Sequence, residues 1–226
     1  MNGRPMTLAF AALAIAAAMP AQVATQANQN YQTPEGRKAI AAGLGNPERD
    51  QQQKPGMLVR EMGLAAGMTV ADIGTGVGYM LPFLSKRVGT QGHVLAEDIF
   101  DDFLAAARQT AERQGLANVT FIKGTETSPE LPQGQVDMAL VLDVYHHFNY
   151  PEKMLAGIHQ GLKPGGKLVI VEYYKRESAM RGGGALTHIR LDMPDVIKEV
   201  EANHFHLLEE KELSRDVQYM LILERN

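Results

Sequence analysis

One carboxylate and three alternating glycines stand in a short segment of the chain, Asp72-Ile73-Gly74-Thr75-Gly76-Val77-Gly78. Glycine lacks a side chain and tolerates positive φ, so such a turn lets a ligand approach the backbone closely. A dinucleotide-binding turn has the spacing G-x-G-x-x-G, whereas here the third glycine comes one residue early. The carboxylate of Asp72 would repel a pyrophosphate and attract a cation. The segment therefore favours a nucleoside cofactor with a cationic tail over one with phosphates, and a nicotinamide-dependent oxidoreductase is the weaker alternative.

A second pair of acids, Glu97-Asp98, ends the next predicted strand along the chain. A carboxylate at the end of this strand can accept hydrogen bonds from the hydroxyls of a ribose, as it does in nucleotide-binding sheets. The glycine turn and the acidic strand end together are more specific than either feature alone. They predict a site for an adenosyl or similar nucleoside compound.

Strand-like and helix-like segments alternate through the rest of the chain. Apolar periodicity predicts helices over residues 57–64, 79–88, 100–114, 151–162 and 193–203. It predicts strands over 69–73, 93–97, 119–123, 136–143 and 167–172, and two late strands over 206–213 and 217–223. This alternation is typical of an α/β fold, with a doubly wound, mostly parallel sheet between two layers of helices. Ligands of such sheets bind at the carboxyl ends of the strands.

Composition limits the possible functions. The chain has 226 residues, a formal net charge of −4 and no cysteine, which excludes disulfides, thiolate metal sites and a cysteine nucleophile. Its mild acidity gives no electrostatic footprint for nucleic acid, so no nucleic-acid partner is expected. One domain, over residues 56–226, is predicted.

The first 27 residues differ from the rest. Arg4 is their one charged residue, residues 8–19 are continuously apolar, and Thr25-Gln26-Ala27 forms a small-residue exit. This pattern predicts a signal peptide and export to the periplasm or outside the cell. An alanine-rich leader on a cytoplasmic protein is the alternative. The apolar run is too short to span a membrane, and no later segment of the mature chain is long enough.

Residues 28–55 are predicted to be a spacer and a loop. The polar stretch 26–32 is typical of a flexible spacer, residues 39–44 favour a short helix, and the polar, proline-flanked stretch 46–55 is typical of a loop. The loop is a candidate cover for the cofactor.

Four motifs in order, VADIGTGVGY, HVLAEDI, VDMALVLDVYHHF and LKPGGKLVIVEY, resemble those of the class I S-adenosylmethionine-dependent methyltransferases. The resemblance covers residues 57–171, with a looser tail. It implies a seven-stranded Rossmann-like sheet whose last strand is antiparallel. It also implies S-adenosylmethionine as the cofactor and methyl transfer to an acceptor, which we expect to be a small molecule.

The same resemblance assigns cofactor-binding roles. The glycine turn would surround the methionine part, Asp98 or alternatively Glu97 would hold the ribose, and Asp143 would lie near the transferable methyl group. Thr125 stands where the family usually has an aspartate that touches adenine, so this contact departs from the family's pattern. The residues assigned to the cofactor are Asp72, Gly74, Gly76, Gly78, Glu97, Asp98, Thr125 and Asp143.

Candidate catalytic residues follow the fourth predicted strand. His146, then His147, could act as a general base, because histidine titrates near neutral pH, and Tyr145 would shape the pocket. The other interpretation is that these residues pack a loop in an enzyme that needs no base, or in a non-catalytic cofactor-binding protein. A glycine-rich segment further on could bring His188 and Arg190 to the acceptor as a lid. No metal site is predicted, because adjacent histidines lack the separation that lets two imidazoles face one metal on a helix.

Overall fold

A single mixed β-sheet organises the protein in the computed structural model, which describes residues 22–180 and 183–226. The strands are β1 (Thr69–Ile73), β2 (His93–Asp98), β3 (Val119–Lys123), β4 (Val136–Leu142), β5 (Leu162–Tyr173), β6 (Phe205–Ser214) and β7 (Gln218–Arg225). Their order is β3-β2-β1-β4-β5-β7-β6. β7 runs antiparallel to both of its neighbours, β5 and β6, and the pairings of β1 to β5 are parallel. The predicted fold class is confirmed.

Helices cover both faces of this sheet. They are α1 (Pro34–Leu44), α2 (Arg49–Gln53), α3 (Pro55–Glu61), α4 (Leu81–Val88), α5 (Asp101–Arg113), α6 (Pro151–Gly161), α7 (Ala185–His188) and α8 (Met193–Glu201). Proline stands in the first turn of α4 and α6, where its missing N–H would have had no helical partner. The strands β1 and β4 are almost wholly buried, as expected for strands with a helix layer on each side.

Two apolar clusters make up the core, one on each face of the sheet. One cluster joins α6 and α8 to the sheet and includes Ile158 and Val200. The other joins α3, α4 and α5 to the opposite face and includes Leu58 and Leu84. The strand order reverses between β1 and β4. Ligands of such sheets bind beside this reversal, at the carboxyl ends of the strands.

The N-terminal region differs from the prediction of a spacer and a loop. Residues 29–31 form a 3-10 turn, and residues 34–44 and 49–53 are helical. Asn28 is buried and donates from its side-chain amide to the carbonyl of His147, 2.9 Å away, so residues near the end of the predicted spacer are fixed to the domain. The predicted leader lies outside the described residues as far as residue 21.

None of the helices within residues 22–180 and 183–226 is both long enough and apolar enough to cross a bilayer.

Candidate functional site

The glycine turn after β1 folds against the acidic end of β2. The N–H of Gly74 donates to Oε2 of Glu97 at 3.2 Å, and the N–H of Gly76 donates to Oδ2 of Asp98 at 2.9 Å. Both glycines have positive φ, and a Cβ at Gly74 would overlap the side chain of Val144. The turn therefore requires glycine, both for its conformation and for the close approach of the loop after β4.

Asp72, at the buried end of β1, lies beneath this turn. Its Oδ2 accepts a hydrogen bond from the hydroxyl of Thr75 at 2.7 Å, and the residue is 3% exposed. Burial raises the pKa of this carboxyl to about 6, although the Thr75 hydrogen bond opposes the shift. The site holds a carboxylate whose charge is poorly solvated and would be stabilised by a cation.

Glu97 and Asp98 have different environments at the end of β2. Asp98 accepts backbone N–H groups from Gly76 and from Phe100, the latter at 2.9 Å, and burial raises its pKa to about 6. Glu97 is also buried, and its Oε1 has no hydrogen-bond partner. Burial, and then the nearby charge of Asp98, raise the pKa of Glu97 well above its usual value. Glu97 is therefore an acid that the described residues satisfy only in part.

A cavity of about 450 Å³ opens at this edge of the sheet, which is within the range of small-ligand sites. It brings together most of the residues predicted from the sequence, which are Asp72, Gly74, Gly76, Glu97, Asp98, Thr125, Asp143, His146 and His147. Asp72 and Asp98 thus share one cavity, as the predicted cofactor site requires.

Gly78 and Tyr145 are not among the residues that line this cavity. A Cβ at Gly78 would press on Leu81 and on Ala107 of α5, so this glycine permits helix packing. Tyr145 is 1% exposed and donates from its hydroxyl to Glu199 of α8 at 2.6 Å. Tyr145 therefore lies outside the lining of this cavity, and its side chain turns into the core.

The position of Arg190 also differs from the one predicted, in which it faces the acceptor. Its guanidinium forms two hydrogen bonds with the carboxylate of Glu199, one of them at 2.9 Å. This ion pair lies beside Tyr145 and away from the residues that line the cavity. Arg190 is thus committed to a structural contact in the described part of the chain.

Residues of α2 cover the cavity from the N-terminal side. Oδ2 of Asp143 accepts hydrogen bonds from the amide of Gln53 and, at 3.5 Å, from Arg49. Its Oδ1 accepts from Gln218 of β7 at 2.8 Å. The guanidinium of Arg49 stacks over the ring of Tyr79, 4.2 Å from its centroid. The predicted loop over residues 46–55 therefore contains a helix, and both Arg49 and Gln53 line the cavity.

Three imidazoles meet at the other end of the cavity. Nδ1 of His146 lies 2.6 Å from Oε2 of Glu172, at the end of β5, and its Nε2 lies 3.2 Å from Nε2 of His188. Nδ1 of His147 lies 2.8 Å from the side-chain oxygen of Asn28. Nδ1 of both His146 and His147 therefore faces an oxygen acceptor. Nε2 of His146 faces His188, and Nε2 of His147 faces the hydroxyl of Tyr31 at 3.4 Å.

Burial keeps these imidazoles neutral. It lowers the pKa of His146 to about 3 and that of His147 well below its usual value, and the neighbouring imidazoles add to both shifts. The pKa of His188, which is partly exposed, is lowered for the same reason. Burial also raises the pKa of Glu172 to about 7. Both oxygens of Glu172 accept backbone N–H groups, from His146 and from Tyr173. This environment favours a donor N–H on Nδ1 of His146, with the lone pair of the neutral ring on Nε2.

Sequence reasoning missed Glu172, Arg49 and Tyr31, all of which contact the site. Glu172 stands at the carboxyl end of β5, so the rule that located Asp72 and Asp98 could also have found it. The short polar helix that carries Arg49 has no apolar periodicity that would reveal it. Tyr31 packs its ring against Phe100, with centroids 5.9 Å apart, and lies in a segment whose composition indicates a flexible spacer.

Residues 70–166 match the family model described as a methyltransferase domain. A curated relative, a ubiquinone/menaquinone biosynthesis C-methyltransferase from Marinomonas sp. (strain MWYL1), is 31% identical over 123 residues. The alignment covers 54% of this chain and 49% of the relative. The chain therefore spans about half the length of the curated relatives it matches.

Solved structures show similar folds. An S-adenosylmethionine-dependent methyltransferase from Aquifex aeolicus is 27% identical to this chain. Its TM-score is 0.77, and the match covers 83% of this chain and 98% of that one. The [4+2]-cyclase SpnF is 19% identical, with a TM-score of 0.70 over 92% of this chain and 99% of that one. The likeness to the cyclase concerns the fold alone.

Proposed function

We propose that this chain is a class I S-adenosylmethionine-dependent methyltransferase, which transfers a methyl group from S-adenosylmethionine to a small-molecule acceptor. The methyltransferase-domain model that matches residues 70–166 supports this proposal. One observation carries the proposal. The cavity that is lined by the carboxylates of Asp72, Glu97 and Asp98 continues without interruption to the imidazoles of His146, His147 and His188. One end thus suits a cationic nucleoside compound, and the other end offers groups that can accept or hold a proton.

The residues present fit S-adenosylmethionine. The adjacent carboxylates of Glu97 and Asp98 line the cavity at the end of β2, which suits the hydroxyls of the ribose. Asp72 suits the ammonium group of the methionine part, because its buried carboxylate is poorly solvated and lines the cavity. Arg49 suits the carboxylate of the same part, because its guanidinium lines the cavity and contacts Asp143 at 3.5 Å.

Thr125 and Glu126 also line the cavity, on the loop after β3. Both are exposed. We assign the adenine contact to this loop, with Thr125 in the place of the family's aspartate.

When bound, S-adenosylmethionine supplies a methyl group on a positively charged sulfur, which is open to displacement by a nucleophile. The chain's own contribution is to hold the acceptor in line with that methyl group and to exclude water, which together lower the barrier by positioning. Residues of α2 and the Gln29–Tyr31 turn cover the cavity and supply this enclosure.

His146 and His188 are placed to receive the acceptor's proton. His188 is partly exposed to the cavity, and its Nε2 lies 3.2 Å from Nε2 of the buried His146. Glu172 fixes the orientation of His146 from the opposite side. The lowered pKa values favour the neutral form of both imidazoles at pH 7, so each keeps one unprotonated ring nitrogen. We assign His188 to direct contact with the acceptor and His146 to its support.

Side chains at the histidine end indicate an acceptor with an apolar body. Met154, Phe148, Tyr173 and Met180 line the cavity there. The curated relatives are named for C-methylation in ubiquinone and menaquinone biosynthesis, which supports a small, ring-containing acceptor for this chain as well.

Calorimetry with S-adenosylmethionine and S-adenosylhomocysteine tests the cofactor assignment. We expect the wild-type chain to bind both, and Asp98→Ala to bind neither measurably. Acceptors are then sought by incubating cell extract with methyl-tritiated S-adenosylmethionine and following labelled products. Failure of the wild-type chain to bind either compound would refute the proposal. Binding without any labelled product would instead indicate a non-catalytic protein of the same fold.

We also propose that the leader directs export. The support is the pattern of residues 1–27 in the sequence, and cell fractionation with N-terminal sequencing of the natively produced protein tests it. A chain that begins at Asn28 in an exported fraction would support the proposal, whereas an intact leader in the cytoplasm would contradict it.

A further inference from the structure

The histidine end of the cavity has the donor set of a metal site. One nitrogen from each of His146, His147 and His188 lies within 4.8 Å of the other two. For the His146–His188 pair the Nε2 atoms are 3.2 Å apart. Two imidazole nitrogens that bind one Zn²⁺ tetrahedrally, each at about 2.0–2.1 Å, are about 3.3 Å apart. That pair therefore already has the separation that a shared metal ion requires.

The groups behind the imidazoles provide a second and independent observation. Nδ1 of His146 hydrogen-bonds to the buried carboxylate of Glu172 at 2.6 Å, and Nδ1 of His147 hydrogen-bonds to Asn28 at 2.8 Å. Metal-binding histidines commonly donate the other ring N–H to a carboxylate or carbonyl oxygen, which fixes the tautomer and strengthens the ligand. Two of the three imidazoles are thus held with Nε2 presented to the cavity.

The backbone brings these residues together from distant parts of the chain. His146 and His147 lie on a 3-10 turn after β4, whereas His188 ends α7. On an α-helix two adjacent histidines would point in different directions, but on this turn their ring centroids are 4.0 Å apart. The expectation that adjacent histidines cannot share a metal assumed helical geometry, which this turn does not have.

We propose that His146, His147 and His188 bind one divalent transition-metal ion, with the fourth coordination position open to the cavity. Neutral imidazoles favour zinc, and also copper, iron and nickel, over magnesium or calcium. Three histidines with one open position are the arrangement of catalytic zinc sites, whereas structural zinc sites are closed by four protein ligands.

The hydroxyl of Tyr31 is the polar group that faces this position from the N-terminal cover. It lies 3.4 Å from Nε2 of His147, which is longer than a normal O–H···N hydrogen bond, so a metal ion would displace a weak contact. Glu172 lies behind His146, and Arg190 is held by Glu199. The ion's charge would therefore be balanced mainly by Glu172 and by whatever occupies the open position.

The proposed function, on which this step rests, gives the open position a role. An acceptor hydroxyl bound to the ion would lose its proton more readily, because a metal ion lowers the pKa of a bound hydroxyl group. With the ion bound, the three imidazoles act as ligands and do not take this proton. The proton would leave to solvent, the new bond would form between the acceptor oxygen and the methyl carbon, and the carbon–sulfur bond would break. The acceptor class is then a molecule with a phenolic or similarly ionisable oxygen.

Metal binding is measured on the untagged full chain, stripped with a chelator and titrated with Zn²⁺ alone in a calorimeter. Substitution with Co²⁺ reports geometry through its visible absorption. We expect one ion per chain, a tetrahedral Co²⁺ spectrum, and an affinity that falls by about 10-fold or more in His188→Ala and by about 10- to 100-fold in Glu172→Gln. His159→Ala is the matched control and should bind like the wild type, although His159 contacts His204 at the surface.

Binding of S-adenosylhomocysteine by His188→Ala is measured in parallel, and unchanged affinity shows that the variant is folded. A chain that binds the nucleoside but no Zn²⁺ or Co²⁺ overturns the metal site and leaves the proposed function standing. Equal loss of metal in His159→Ala would also overturn it. A chain that binds one ion but no nucleoside compound supports the metal site and refutes the proposed function.

Discussion

Oε2 of Glu172 lies 2.6 Å from Nδ1 of His146 and 3.2 Å from its backbone nitrogen. Neither side chain is more than 4% exposed. A carboxylate buried this deeply is costly unless its acceptors are satisfied, and here the side chain and the backbone of one residue satisfy the same oxygen. Glu172 thereby fixes both the turn after β4 and the direction of the His146 imidazole.

Glu172→Gln is expected to slow methyl transfer while leaving cofactor binding intact. The amide retains the size of the side chain but removes the charge that orients His146, so we expect turnover to fall by about 10- to 100-fold. Rates with labelled S-adenosylmethionine and calorimetry with S-adenosylhomocysteine separate the two effects. Glu210→Gln, at an exposed position of β6, is the control. A parallel loss of nucleoside affinity in Glu172→Gln would show that the residue acts through the fold as a whole.

Stability without cofactor is expected to decrease as the pH rises through about 6. The pKa values of Asp72 and Asp98 are both raised to about 6 by burial, so the folded chain holds these protons more tightly than the unfolded chain does. Their stabilising contribution is present at low pH and is lost as the carboxyls ionise. S-adenosylmethionine carries positive charge, so we expect it to stabilise the chain in which the carboxyls of Asp72 and Asp98 are ionised.

Thermal unfolding with and without S-adenosylmethionine, at about pH 5 and about pH 7.5, measures this linkage. We expect a larger rise in Tm from the ligand at the higher pH. In Asp72→Asn the free energy of unfolding of the unliganded chain should rise by on the order of 1–3 kcal/mol at the higher pH. The variant should also bind the ligand more weakly. Asp101→Asn, whose side chain is 86% exposed, should change neither. A ligand shift that is independent of pH would contradict the assignment of Asp72 and Asp98.

The sequence predicts the strands well because each strand is marked by a local pattern of residues. Residues 69–73 and 119–123 coincide with β1 and β3, since short apolar runs bounded by turns leave little choice of structure. The carboxylates at strand ends are also predictable, because parallel topology alone brings Asp72 and Asp98 to one edge. The end of the cavity that we propose for the cofactor could thus be located from the sequence alone.

The cover and the histidine end are less predictable, because they depend on contacts between distant residues. Asp143 accepts hydrogen bonds from Arg49 and Gln53, which lie about 90 positions earlier in the sequence. These contacts stabilise a five-residue helix that has no apolar face. Tyr145 and His146 are neighbours in one motif, yet the 3-10 turn directs the side chain of Tyr145 into the core and that of His146 to the cavity. Backbone direction within a turn is set by tertiary packing, which residue types do not report.

Gly124→Ala is expected to weaken nucleoside binding by displacing Glu97. A Cβ at Gly124 would overlap Oε1 of Glu97, the oxygen that has no partner. The carboxylate must then move, so we expect lower affinity for S-adenosylhomocysteine and a lower Tm. Gly56→Ala is the matched control. It lies in α3 with nothing within 4 Å of the added carbon, and should be neutral or stabilising by about 0.5–1 kcal/mol. If both variants bind equally well, Glu97 is not part of the nucleoside site.

Arg49→Ala is expected to weaken binding of S-adenosylmethionine through the ligand's carboxylate. The guanidinium of Arg49 is held over Tyr79 at 4.2 Å and reaches Asp143 at 3.5 Å, so it is oriented before any ligand enters, and an oriented charge loses little entropy on binding. Decarboxylated S-adenosylmethionine lacks the group that Arg49 would bind. Calorimetry should therefore show a large loss of affinity for S-adenosylmethionine in Arg49→Ala and little change for the decarboxylated compound. Arg60→Ala, at an exposed position of α3, should bind both compounds like the wild type. Equal losses for the two ligands in Arg49→Ala would show instead that Arg49 acts by holding α2 against Asp143.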